Sequence, residues 1–156
     1  MNYVISLNCK VDARNQEEAK AKALMNIQVR EAAPLMLAPL DVYECLEKYR
    51  KKQKEYFITC LLDTQNNLLG FKVIAVGTLN TSLVHPREVF RPAIAANCAS
   101  IIVAHNHPSG TLEPSPEDVQ VTKRLKESGK LIGIELTDHV IITMYGFYSF
   151  REHHLL

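Results

Sequence analysis

The chain has 156 residues, 47% hydrophobic and 22% charged, a globular balance that excludes disordered, collagen-like and coiled-coil classes. Lys and Arg number 18 against 17 Asp and Glu, a net charge of +1, so no global field holds a polyanion or an anionic membrane, and a nucleic-acid role needs a local patch. Cys9, Cys45, Cys60 and Cys98 form no C-x-x-C pair, which fits a reducing cytoplasm better than a zinc ribbon or a disulfide framework.

Residues 3–7 read as a short strand and 15–26, with Ala19, Ala21, Ala23 and Leu24, as an Ala-rich helix. Pro34 and Pro39 interrupt the next stretch, setting an N-terminal strand-helix appendage and linker at 1–40 apart from a main domain at 41–156. Asp41 is placed to cap a helix carrying Val42, Cys45, Leu46 and Tyr49. Lys48, Arg50, Lys51, Lys52 and Lys54 crowd its end, as a solvated terminus favoured by the helix dipole or as a nucleic-acid contact. Strands are expected over 56–62 and 69–76, joined by the turn-rich 63–67. After a polar loop, Pro86 opens a helix whose apolar face is Val89, Phe90, Ile94 and Cys98. A buried strand over 100–104 comes next. Ser115 and Pro116 then start a helix with Val119, Val121 and Leu125 inside it and Gly129 at its end. Closing strands are expected over 131–136, 139–143 and 147–150, giving an α/β fold with a mixed sheet flanked by helices. Apolar runs break within about ten residues, short of the ~18 that a membrane span needs, so the chain reads as neither secreted nor membrane-spanning.

The chemistry concentrates in His105-Asn106-His107-Pro108-Ser109-Gly110, where the strand over 100–104 runs into a loop. Residues two apart in an extended chain point to the same side, so both imidazoles converge on one point. Asp118 lies on the first turn of the helix begun by Ser115 and Pro116, where strand end and helix start meet. Two neutral imidazoles and one carboxylate are a usual catalytic zinc set that leaves a fourth position for water. Iron, manganese or nickel also suit those donors. Each feature has a plainer reading: Ser115 and Asp118 resemble a capping box, and histidines at strand ends are often ordinary hydrogen-bonding residues. Together they point to an open metal site, and the cap and ligand roles are compatible.

His105-x-His107-Pro108, seven intervening residues, Ser115-x-x-Asp118 resembles the JAMM motif of the JAB/MPN metalloprotease superfamily. Gly77-Thr78-Leu79-Asn80, Val84-His85-Pro86-Arg87-Glu88-Val89-Phe90, Ala104 to Gly110 and Asp138-His139-Val140-Ile141-Ile142 resemble the bacterial RadC-like branch, over about residues 41–150. The segment 1–40 departs from the helix-hairpin-helix region of longer RadC proteins. The resemblance implies a JAB/MPN-like layered architecture akin to cytidine deaminases, with His105, His107 and Asp118 as zinc ligands. It also implies that Ser115 stabilises a developing oxyanion and that an upstream glutamate serves as base. That glutamate stands just before an apolar strand at the start of the core, which selects Glu55; Glu88 is the rival, with an ordinary role as an acid at a helix start. Glu55 in turn has an ordinary role as a helical-spacing partner of Lys51 or Lys52.

The implied reaction is hydrolysis of an amide, peptide or isopeptide, in a protein or peptide-like substrate. The alternative is a DNA-associated repair or recombination accessory protein with a structural or vestigial metal site, using residues 48–54 as its contact. A silent scaffold is a third class, opposed by the full ligand set. His85 and His139 are expected to bond within loops or line the cleft, with support of the metal ligands as a lesser role. His153 and His154, in a polar tail, carry no expected role. The contiguous His105-Asn106-His107 is not an HNH-nuclease signature, whose residues are spread along a ββα-metal motif.

Overall fold

The computed structural model describes residues 3–6, 28–31, 33–77 and 84–156. The helix expected over 15–26 lies outside them. The chain divides into two compact units, Met1–Ala33 and Pro34–Leu156. In the first, β1 (Tyr3–Ser6) pairs antiparallel with β2 (Gln28–Glu31), Tyr3 opposite Glu31. The sequence reading did not foresee β2, because Gln-Val-Arg-Glu shows one apolar residue and no alternation to read.

The second unit is a five-stranded mixed sheet with helices on both faces. Its strands, in the order β4-β3-β5-β6-β7, are β3 (Tyr56–Leu62), β4 (Leu68–Val76), β5 (Ser100–Asn106), β6 (Glu135–Ile142) and β7 (Phe147–Ser149). All neighbours are antiparallel except β5 and β6, which are parallel. Parallel neighbours require a crossover, and α4 (Pro116–Ile132) supplies it. One face of the sheet packs Phe57, Leu61, Ile101 and Val103 against α4 and α3 (Pro86–Ala95) through Val89, Phe90, Val121 and Leu125. The other packs Ile58, Leu62, Ile102, Ala104 and Val140 against α1 (Pro39–Cys45) and α2 (Glu47–Arg50) through Val42, Leu46 and Tyr49. β5 is buried on both faces along its whole length, as parallel-sheet strands usually are.

Four local expectations are corrected. Asp41 does not cap its helix from outside. Pro39 opens α1, and Asp41, inside the first turn, accepts from the Leu37 and Ala38 amides at 2.9 and 2.7 Å; the helix then breaks at Leu46 before α2 carries Tyr49. Within α3 Ile94 is exposed and Ala93 completes the apolar face, and the helix stops at Ala95, so Cys98 is buried beyond it. Gly129 does not end α4. The helix continues to Ile132, and Gly133 at φ 80° caps it. Gly129 is small for another reason: a Cβ there would lie 2.5 Å from the Ile134 carbonyl oxygen and 3.2 Å from the Phe90 ring.

The strands expected over 131–136 and 139–143 are one continuous strand, β6, preceded by the last turn of α4. Between the two expected strands lies a bulge: Ile101 pairs with Leu136 while the next residue, Ile102, pairs with Asp138. The extra residue lets Leu136 and His139, three apart, both face α4. Without it they would point to opposite sides.

Candidate metal centre

β5 and α4 build the site between them. It lies at the carboxyl end of a parallel strand, where open α/β sheets place their ligands. His105 is the penultimate residue of β5, and His107 follows the strand directly, its amide still bonded to the Ile142 carbonyl at 3.1 Å. The chain then turns through Pro108 and Ser109, with Gly110 at φ 83°, packed under the Tyr145 ring. Ser115 caps α4 and Asp118 sits three residues on. Ser115 Oγ accepts from the Asp118 amide at 3.1 Å, and Asp118 Oδ2 accepts from the Ser115 amide at 2.8 Å and its hydroxyl at 2.7 Å. This capping box fixes the carboxylate's direction.

The structure brings His105, His107 and Asp118 together, with one ligand atom from each within 4.8 Å of the others. The two Nε2 atoms are 2.9 Å apart, His105 Nε2 is 3.3 Å from Asp118 Oδ1, and His107 Nε2 is 3.5 Å from Oδ2. His107 Nδ1 faces the Thr111 carbonyl at 2.7 Å. A carbonyl only accepts, so that nitrogen carries the ring's proton and the inward Nε2 keeps its lone pair. Donor atoms at this separation with a carboxylate beside them are satisfied by a cation among them, so the triad is placed to bind a metal.

Charge follows the same geometry. Burial alone would raise the Asp118 pKa, but the His105 and His107 imidazoles and the Ser115 hydroxyl outweigh it and hold the carboxyl well below the usual carboxylate range. Burial opposes a charge on His107, yet Asp118, the Thr111 carbonyl and the charge of Glu55 outweigh it and raise its pKa. His139 lies fully buried behind His105, their Nδ1 and Nε2 atoms 2.8 Å apart, and burial pushes its pKa well below the ordinary value.

Glu55 lines a cleft of about 400 Å³ with His107, Ser115 and Asp118. It precedes β3 on a segment held by Asn106, whose side chain points away from its two histidine neighbours. Asn106 Oδ1 accepts from the Tyr56 amide at 2.7 Å, and its Nδ2 donates to the Lys54 carbonyl at 3.0 Å and the Lys52 carbonyl at 3.3 Å. Glu88 instead pairs with Arg87 and Arg91, each at 3.2 Å, and lines a separate groove between α3 and β4. His85 is the N-cap of α3, its Nδ1 accepting from the Arg87 amide at 3.1 Å.

A family model described as the RadC-like JAB domain matches residues 36–155. The chain belongs to this family. Among relatives of this RadC-like JAB domain are proteins carrying the name UPF0758. One from Rubrobacter xylanophilus is 49% identical over 124 residues, covering 79% of this chain and 54% of the relative. One from Methanosarcina mazei is 50% identical over 125 residues, covering 80% and 55%. A third, from Clostridium perfringens, is 42% identical over 155 residues, covering 94% and 68%. The chain spans about half the length of the first two.

Several residues of this RadC-like JAB domain behave differently from their sequence reading. His139 supports His105 from within the core and does not line the cleft. His153 is anchored, with Nδ1 2.8 Å from the Ser149 carbonyl and its ring stacked on Tyr148 at 3.9 Å. In the basic cluster, Arg50 Nε donates to the Tyr43 carbonyl at 3.0 Å under the Tyr43 ring, and Lys48 sits 5.0 Å from the Phe71 ring centre. Both brace the helices, while Lys51, Lys52 and Lys54 are exposed. Asn106, Thr111 and Thr122 were not singled out as support for the site. For Asn106 the signal was polarity in a strand that reads as buried, since a buried polar side chain needs a partner. Among the described residues no helix is long and apolar enough to cross a membrane.

Proposed function

We propose that this RadC-like JAB domain is a zinc-dependent hydrolase that cleaves an amide bond, peptide or isopeptide, in a protein or peptide-like substrate. The observation that carries the metal is the convergence of His105 Nε2, His107 Nε2 and the Asp118 carboxylate at one end of an open cleft. The family resemblance supports the choice of bond, and three protein ligands with one open side suit catalytic zinc. Zinc held there supplies Lewis acidity, lowering the pKa of water from about 15.7 to roughly 7 and polarising a carbonyl.

The protein's own groups do the rest. Glu55, on the cleft wall and near enough for its charge to act on His107, takes a proton from the attacking water and delivers it to the departing amine. Ser115 offers its hydroxyl to the developing oxyanion. That proton is spent on Asp118 Oδ2 in this geometry, so the hydroxyl turns from ligand to substrate as charge develops. Asp118 keeps the donation of the Ser115 amide throughout.

Elemental analysis of chelator-free protein should give one zinc per chain, lost in His107→Ala. A screen of peptide- and isopeptide-linked conjugates should then show turnover that EDTA abolishes and Glu55→Gln removes without loss of zinc. A protein with no bound metal, or a Glu55→Gln variant at full activity, overturns the metal or the base assignment respectively.

A further inference from the structure

The two ligand imidazoles are oriented by different means. His107 is fixed by one carbonyl, whereas His105 ends a buried chain of hydrogen bonds that starts on the third ligand. Thr122, one turn along α4 from Asp118, donates its hydroxyl proton to the Asp118 main-chain carbonyl at 2.6 Å. The same oxygen lies 2.6 Å from His139 Nδ1. A hydroxyl has one proton to give and a carbonyl can only accept it, so His139 Nδ1–H donates to Thr122. The other nitrogen of that neutral ring, Nε2, then carries a lone pair, and it lies 2.8 Å from His105 Nδ1. His105 must therefore hold its proton on Nδ1, which leaves Nε2 bare toward His107 and Asp118.

We infer that His139 is a positioning residue for the metal: with Thr122 it relays the fixed polarity of the Asp118 carbonyl into the tautomer of His105, so that His105 presents Nε2 as a ligand. The inference rests on the metal-binding reading above. Packing keeps the relay in place. The His139 ring stacks on Phe150 at 4.5 Å and meets the edge of Phe57 at 5.6 Å, and His105 stacks on Phe57 at 6.1 Å. His139, Thr122 and His105 are each 1% exposed or less, so water does not compete for these bonds. The bulge at Thr137 is what turns His139 onto this face.

Zinc affinity, measured on the full chain by competition with a chromophoric chelator, tests this. His139→Leu keeps the bulk but accepts no proton, and it should lose about 10- to 100-fold in affinity, the usual effect of removing a partner that orients a ligand. His139→Gln can accept from His105 and donate to Thr122, and it should recover most of that loss at matched thermal stability. A role in packing alone would not distinguish the two. Should the Leu variant fail to fold, ring ¹⁵N NMR of the wild-type zinc complex decides: His105 should carry its proton on Nδ1 and show Nε2 shifted by the metal. Wild-type affinity in folded His139→Leu, or metal at His105 Nδ1, overturns the relay while leaving the metal site standing. A wild-type protein indifferent to zinc overturns both.

Discussion

Replacing Asn106 separates the support of Glu55 from the support of the metal ligands. Asn106→Ala removes three hydrogen bonds from a fully buried side chain. The half-buried Tyr56 amide loses its acceptor, at about 1–3 kcal/mol, and the two bonds to the Lys54 and Lys52 carbonyls add roughly 0.5–1 kcal/mol, the 3.3 Å bond least. The expected loss is about 1.5–4 kcal/mol, or roughly 3–16 °C in midpoint at this chain length. Asn106→Asp should cost more, since it keeps the acceptor for Tyr56 but sets a buried carboxylate oxygen against two carbonyl oxygens. Urea titration and thermal melts measure both variants, and chelator competition shows whether zinc affinity stays near wild type while turnover falls with the displaced Glu55. An Ala variant that melts with wild type, or an Asp variant more stable than it, refutes the reasoning.

Gly129→Ala should destabilise by about 1–3 kcal/mol in denaturant titration, because the clash with the Ile134 carbonyl outweighs alanine's advantage in a helix; a stabilised variant would show that the turn after α4 can give way. Burial raises the Asp138 pKa, although the Ser149 hydroxyl and the Arg151 and His139 amides pull against it. The folded state therefore binds this proton more tightly than the unfolded state, a contribution complete below the ordinary value of 3.8 and lost as pH rises through the raised one. An amide in place of this carboxyl does not titrate, so melts across pH should show Asp138→Asn gaining on wild type through that window and then holding a constant difference; a variant that loses ground to wild type as pH rises contradicts this.

The layered fold could be read from the chain because its signals are local. Pro86 and the Ser115-Pro116 pair start helices where expected, and 56–62 folds as the strand its apolar run suggests. The triad placed to bind a metal was legible for the same reason: His105, His107 and Asp118 lie within fourteen consecutive positions across one strand-to-helix junction. The misread elements are those decided by distant partners. Gly129 looked like a helix end, but its size answers Ile134 and Phe90. The strands over 131–136 and 139–143 were read apart, but Asp138 between them is held by Ser149 and Arg151. Support of the metal ligands was only a lesser reading for His139, and Asn106 was given no role, since one supports a ring 34 positions earlier and the other reaches back 50 or more. A polar residue in an apolar strand announces that it has a partner without saying which.

β5 is hydrogen-bonded on both sides as far as its ligand end, with His105 opposite Phe57 of β3 and Ile141 of β6. Two residues of the triad, His105 in β5 and His107 just beyond it, are therefore anchored at the centre of the sheet, the part of a domain that opens last. Fraying of a surface loop alone leaves the backbone at His105 in register, because moving it means parting the middle strands. The backbone of both histidines is thereby tied to global unfolding, whereas the segment bearing Glu55 is held by the Asn106 side chain and by the bond from the Gly77 amide to the Glu55 carbonyl at 2.9 Å, and can breathe while the histidines stay in place.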